Sequence, residues 1–446
     1  MTWLTSHPFK IIKHEWDMRY SRIDNSLFKR NRWDFMQRME AKSVAVFNSN
    51  DIMPTSADGT MPFRQATDIF YLSGVDQEET VLMLCPDHPD ERLREVLFVR
   101  ETSELIAKWE GEKLTQEQAT EVSGIATVYW EQDFKKVLAT VVNECDNIYL
   151  NSNEHTRATI EVETRDARFM QWCRGKYPLH TYRRCAPILH GLRAVKHDIE
   201  IALMRQAMDI SAKGFDRVLR FTEPGVWEFE IEAELSHEFL RGRANGFAYT
   251  PIIASGRNAC ILHYIENNCQ CKDGEVILMD AASEYANYDS DLTRAFPVNG
   301  RFTQRQKDVY NAVLRVQKAG IDMMRTGTLL RDYEKEIARL MESELIGLGL
   351  ISRHDVEKQD PKNPAYRRYY YHNTSHFLGL DTHDVAYFSR PLQVGNVLTV
   401  EPGIYIEEEG LGIRIEDNIL VTANGPVNLM SHIPKEVDEI EAIMNS

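Results

Sequence analysis

Nowhere does this 446-residue chain carry the run of roughly 20 apolar residues that a helical membrane span requires, although 43% of its residues are apolar. No membrane partner is therefore expected. The N-terminal stretch MTWLTSHPFKIIKHEW lacks a continuous apolar core, so no secretory leader is read there. Positive charge is also short. Lys and Arg number 52 against 68 Asp and Glu, a formal net charge of −16. General nucleic-acid binders are usually basic, so no nucleic-acid partner is expected. Cysteine is sparse: seven in the whole chain, an odd count with no regular framework. That argues against a disulfide scaffold and for reduced thiols in a cytoplasm. Cys269 and Cys271 form a C-x-C, but no second pair lies nearby to complete a zinc site, and both are read as structural.

The length is too great for one ordinary core and predicts two domains. Residues 1–180 read as a small mixed α/β domain, with strand-like runs at 43–49, 80–86, 95–100 and 147–151 between amphipathic stretches. The segment 181–192, interrupted by Pro187 and Gly191, reads as a linker. From about residue 190 to 446 the pattern changes. Ile199, Leu203, Ala207 and Ile210 mark a long amphipathic helix, and Ile231, Leu235 and Phe239 mark a second. Strands are expected at 248–254, 260–265, 275–281 and 289–296. The order then recurs: a long helix to Thr326-Gly327, a second with Tyr333, Ile337 and Met341 on one face, and strands at 395–401, 403–407 and 412–421. Gly225 and Gly327 stand at equivalent breaks, as do Ile231 and Tyr333 in the helices that follow. A duplicated helix–helix–strands unit is the reading, and such a unit often builds its site between its halves.

Acidic residues punctuate the apolar strands of this second region. Asp280 ends the run VILMD, Asp291 enters the next strand, Glu401 ends VLTVE, and Glu416 follows Arg414 in GIRIED. An isolated buried carboxylate is costly unless it is paired or coordinates a metal. Four in one domain would repel each other, and divalent cations are the simplest neutraliser. Beside them stands HNTSHFLGLDTHD (372–384), with His372, His376 and His383 around an apolar run. One carboxylate alone reads as a turn former or salt-bridge partner, and one histidine alone as a hydrogen-bonded core residue. Together they point to one metal site.

In this order, D-x10-D, SHFLGLDTHD, VEPGIY and IRIED closely resemble the pita-bread metallopeptidase family, and within it the proline-specific branch that holds aminopeptidase P and prolidase. GRNACILHYIEN, LRAVKHDIEIALMRQA, DLTRAFPVNGRF and TSADGTMPFRQATDIFYLSG agree, so the resemblance covers nearly the whole chain. It implies an α/β (α+β) fold: an N-terminal accessory domain of the aminopeptidase P type, then a pita-bread domain with a pseudo-twofold duplication. It also implies two divalent ions per chain held by Asp280, Asp291, His376, Glu401 and Glu416, with Asp291 and Glu416 bridging. Carboxylates with one imidazole suit Mn²⁺, with Co²⁺, Fe²⁺ or Zn²⁺ as alternatives. His263 and His383 would hold substrate and stabilise charge at the scissile carbonyl. His372, Tyr405 and Asp58 would line the pocket, and Trp109 would reach in from a neighbouring subunit of a homodimer or homotetramer. The sequence departs from the family at Asn373-Thr374, where glycine is usual.

The reaction implied is hydrolysis of the bond before a penultimate proline, with Glu401 as general base and Arg414 orienting Glu416 or holding substrate. Three alternatives stand beside it. A prolidase cleaving only Xaa-Pro dipeptides shares all five ligands, but Asp58 and Trp109 favour aminopeptidase P. A methionine aminopeptidase does not need the first 180 residues. A non-catalytic peptide- or histone-binding pita-bread domain does not need the ligands.

Overall fold

Six strands of the first half make one mixed sheet: β1 (Ser43–Asn48), β2 (Val81–Leu84), β3 (Glu95–Val99), β4 (Thr127–Trp130), β5 (Asn147–Leu150) and β6 (Thr181–Arg184), in the order β4-β3-β2-β1-β5-β6. The computed structural model describes residues 19–446. Successive strand side chains point to opposite faces, and both faces are covered. Ala45, Phe47, Leu82, Leu84 and Leu97 join the cluster that holds helix α1 (Ser26–Met36). Val44, Val46, Val81, Met83 and Phe98 pack beneath Phe134 and Leu138 of the helix Phe134–Val142. The first cluster continues into the second half of the chain, through Met204, Ile277 and Ile404.

The segment 181–192 is not the expected linker. Its first part is the edge strand β6, paired in parallel with β5. Its second part is helix α2 (Ala186–Arg193), with Pro187 in the first turn, where a missing backbone donor costs nothing.

The second half holds two helix pairs. Helices α3 (Asp198–Phe221) and α4 (Glu228–Arg241) precede the three-stranded sheet of β7 (Ile252–Ser255), β8 (Val276–Asp280) and β9 (Thr293–Pro297), with β8 in the middle. Helices α5 (Gln304–Met323) and α6 (Leu330–Gly347) precede β10 (Val397–Val400), β11 (Gly403–Ile406), β12 (Leu411–Arg414), β13 (Asp417–Thr422) and β14 (Gly425–Asn428). The breaks between paired helices hold Gly225 (φ 103°) and Gly327 (φ 92°), a conformation that a Cβ would strain. Ile231 and Leu235 in α4, and Tyr333 and Ile337 in α6, are buried at matching positions. The duplication read from spacing is therefore present in the helices.

Two strand expectations change. Residues 260–265 form a turn, and Ile261 and Ile265 stay more than half exposed (54% and 53%), so no sheet claims them. The run 412–421 is two strands, broken at Ile415 and Glu416. The His376 segment is irregular and lies along β10 through the bridge of Phe377 to Leu398 and backbone bonds from Leu378 N–H to Val397 and from Thr399 N–H to His376. Among the described residues no helix is long and apolar enough to cross a membrane.

Candidate metal centre

Each half contributes strand ends to one buried cluster. In the first, β8 delivers Asp280 opposite Thr293 of β9, and Asp291 lies two residues before that strand. In the second, Glu401 follows β10 and Glu416 precedes β13, which pair through Val400 and Asp417. Ligand atoms of Asp291, His376 and Glu416 lie within 4.8 Å of one another. Glu401 joins through His376, with Oε1 3.5 Å from Nε2. The same Nε2 is 3.4 Å from Asp291 Oδ2.

The His376 ring is oriented for coordination. Its Nδ1 lies 3.0 Å from the Phe377 carbonyl. Only a protonated Nδ1 makes that bond, which leaves the Nε2 lone pair facing two carboxylates. Its backbone is held as well: the His376 N–H donates to Thr399 Oγ1 at 3.1 Å. Glu334 of α6 accepts the Thr374 N–H (3.0 Å) and the Thr374 hydroxyl (3.1 Å). The Glu401 N–H in turn donates to the Thr374 carbonyl at 2.9 Å. The Asn373-Thr374 departure is thus absorbed by a half-buried glutamate, and the His376 segment stays in place.

Charge in the cluster is unbalanced. Burial, then Asp280, pushes the Asp291 carboxyl up to about 8. Burial, with Asp291 and Asp280 adding to it, holds Glu416 well above the carboxylate range. Glu401 is raised by burial and by Glu416. Glu416 Oε2 accepts the Thr293 hydroxyl at 2.7 Å, but its Oε1 is buried without any hydrogen-bond partner. An orphaned carboxylate oxygen, a free imidazole lone pair and raised carboxyls are together the donor set of a cation site. Hard oxygens with one imidazole and no thiol fit divalent ions of the manganese-to-zinc range.

A second tier sits around these groups. Tyr249 donates to Asp280 Oδ1 at 2.7 Å, and Arg414 Nη2 donates to Asp280 Oδ2 at 2.5 Å. Arg414 does not touch Glu416. It reaches it through Thr293, whose hydroxyl oxygen accepts Arg414 Nε at 3.1 Å. Arg414 Nη1 also donates to Tyr405 Oη at 3.0 Å. Tyr405 Oη lies 2.7 Å from His372 Nε2, and His372 Nδ1 lies 2.8 Å from the Asn373 carbonyl. Because a carbonyl only accepts, the neutral His372 ring donates from Nδ1 and accepts at Nε2, so the donors run Arg414 to Tyr405 to His372 to carbonyl. Burial, then the Arg414 charge, pushes His372 down to about 3.

The His383 ring meets the His376 ring edge-on, 4.4 Å between centroids. His263 is exposed on the turn before Tyr264 and bears electrostatically on both His372 and His383. Asp58 stands exposed at the tip of the hairpin Pro54–Ser56/Gly59–Thr60. Trp109, on the helix Glu104–Glu110, is 81% exposed. Among the described residues, no hydrogen bond or ion pair joins Asp58 or Trp109 to the cluster within one chain. Tyr249, Thr293, Glu334 and Arg157, which donates to His383 Nε2 at 3.0 Å, were not found from the sequence. All are ordinary polar residues distant in sequence from what they hold. Thr293, two residues after Asp291, is the one with a local cue.

Residues 202–423 match the model for metallopeptidase family M24, and residues 28–149 match the aminopeptidase P N-terminal domain. The chain is 36% identical over 437 residues to a Xaa-Pro aminopeptidase of Escherichia coli (strain K12), covering 95% of this chain and 98% of that one. A variant of Escherichia coli aminopeptidase P in complex with substrate superposes with a TM-score of 0.84, at 35% identity, over 95% of this chain and 99% of that one. A zinc-substituted Escherichia coli aminopeptidase P in complex with product gives the same score and coverage.

Proposed function

Because the chain belongs to metallopeptidase family M24, we propose that it releases the N-terminal residue from peptides with proline in second position. The observation that carries this is the supply of wholly or largely buried carboxylates, two from each duplicated half, around one imidazole lone pair. Relatives over nearly the full length from Escherichia coli and Haemophilus influenzae are Xaa-Pro aminopeptidases. Asp280, Asp291, His376, Glu401 and Glu416 would hold two divalent ions, with manganese the preferred occupant and cobalt, iron and zinc the alternatives. Such ions supply Lewis acidity, lowering the pKa of water and polarising a carbonyl.

The chain's own groups do the rest. The Glu401 side chain keeps 18% of its surface exposed, so water and substrate can reach it. It is placed to take a proton from the attacking water. His383 and His263 donate to the scissile carbonyl as charge develops on its oxygen. The chain Arg414–Tyr405–His372 fixes one wall of the pocket, with His372 neutral and its Nδ1 protonated. Asp58 serves the pocket, and Trp109 reaches into the proline pocket of a neighbouring copy in a homodimer or homotetramer, which fits a tryptophan this exposed. The seven cysteines are unbonded thiols, as suits a protein working in the cytoplasm.

The test uses metal-stripped protein reloaded with Mn²⁺, Co²⁺ or Zn²⁺ and assayed on Xaa-Pro-Yaa tripeptides and Xaa-Pro dipeptides. Tripeptide cleavage that follows metal content supports the reading. Cleavage of dipeptides alone moves the assignment to a prolidase.

A further inference from the structure

A cleft of about 820 Å³ opens beside His383, between residues 49–68 and the loop 151–166 of the N-terminal half. Ligand pockets run from roughly 300 to 1,000 Å³, so it has room for more than one residue beyond a proline. Its loop is built locally. The His155 N–H donates to Asn153 Oδ1 at 3.0 Å, and the Arg157 N–H donates to His155 Nδ1 at 3.1 Å. This turn sets the Arg157 guanidinium against His383, Nη1 3.0 Å from Nε2.

The other arginines lining the cleft are neutralised. Arg64 is 3.2 Å from Asp289, and Arg165 is 3.2 Å from Glu131. Arg193 is 2.7 Å from Asp68 and 2.6 Å from both Asp381 and Asp384. Among the described residues Arg157 has no carboxylate within 4 Å. Its side-chain partner is an imidazole, and it lines the cleft as an exposed guanidinium with no carboxylate to balance its charge.

We propose that Arg157 is an anion anchor on the far side of the scissile bond. It binds the free C-terminal carboxylate of a short peptide that lies past His383 into the cleft. This rests on the peptidase reading above. The guanidinium fork matches a carboxylate in two parallel hydrogen bonds, which a lysine or an amide cannot reproduce. The anchor makes the enzyme prefer short peptides with a free C-terminus over the same peptides capped as amides.

The experiment compares the metal-loaded enzyme and its Arg157→Gln and Arg157→Lys variants on one Xaa-Pro-Yaa peptide, as the free acid and as the C-terminal amide. The wild type should favour the acid by about tenfold, mainly in KM, the worth of one charged hydrogen-bonded pair. Arg157→Gln should bring the acid-to-amide ratio close to one, and Arg157→Lys should restore it in part. A wild type indifferent to the cap overturns the proposal. So does a variant that lowers kcat equally on both peptides while keeping their ratio, because Arg157 would then only position His383. If the wild type cleaves neither peptide, the peptidase reading falls. Calorimetric binding of the two peptides then decides on Arg157, and equal affinity for acid and amide overturns the anchor.

Discussion

Glu416 and Asp417 are neighbours in sequence and both are buried, yet their carboxylates sit in opposite electrostatic settings. Asp417 Oδ1 is 2.6 Å from the Arg294 guanidinium, and its other oxygen accepts from Gln317, Asn428 and Lys435. Burial pushes its carboxyl up, but the two cations overcome this and hold it below the ordinary range. Glu416 has one hydroxyl donor, an orphaned oxygen and acidic neighbours, and is held well above that range. Asp384 repeats the first pattern, between Arg193 and Lys196. Asp291 repeats the second. The same cost of burial is met from within the chain at Asp417 and Asp384. At Glu416 and Asp291, Arg414 lowers the carboxyls only in part, so in the metal-stripped protein a proton makes up the difference and, on the proposed reading, metal ions do so in the enzyme. A deficit of internal cations, more than burial itself, separates the proposed ligand carboxylates from the structural ones.

Substitutions on the two sides should therefore fail differently. Asp291→Asn and Glu416→Gln should lose bound metal and lower kcat/KM by about 10³-fold or more, while the metal-stripped fold is kept. Asp417→Asn should leave metal per folded chain intact but cost about 3–5 kcal/mol of stability, because Arg294 is left buried without its partner. Metal analysis beside denaturant unfolding separates the cases. Loss of metal with full stability in Asp417→Asn would erase the distinction.

The histidines divide in the same way. His376→Ala should lose metal. His383→Ala and His263→Ala should keep it and lose about 10²–10³ in kcat, the usual worth of a group that stabilises a developing oxyanion. Metal loss in the last two would place them among the ligands.

How much of this was legible in the sequence follows from where each signal lies. Asp280, Glu401 and Glu416 stood out because each closely follows Val, Ile, Leu or Met, so local sequence declares burial, whereas Asp291 stood out by its eleven-residue spacing from Asp280. His376 stood out because its segment is apolar. Tyr249, Glu334 and Arg157 were not legible, because they act across 31, 40 and 226 residues respectively on groups they meet only in the fold. Glu334 and Thr374, 40 residues apart, are one example. The break at Ile415-Glu416 was hidden because both residues are buried like those of a continuous strand. The segment 181–192 looked like a linker because Pro and Gly were read as punctuation. A proline in a first helical turn and an edge strand of polar residues break no rule.

The contrast also predicts a pH dependence. The Asp291 carboxyl near 8 lies above its ordinary 3.8. Folded metal-stripped protein thus holds more protons than unfolded chain between those values, and its stability should fall as pH rises from about 4 to about 8. Saturating Mn²⁺ should flatten that slope. Stripped protein whose stability is level or rising over the window would contradict the charge deficit. The smallest expected effect lies at Trp109. Trp109→Ala should raise KM severalfold in an assembled enzyme without unfolding the chain. An unchanged KM, or a fully active monomer by sedimentation, would remove Trp109 from the pocket.

The most direct test of the charge deficit is the number of ions it draws in. Elemental analysis and calorimetric titration of metal-stripped protein with Mn²⁺, followed by activity at each ratio, should give two ions per chain, with full activity at two. Full activity with one tightly bound ion or none would contradict the account.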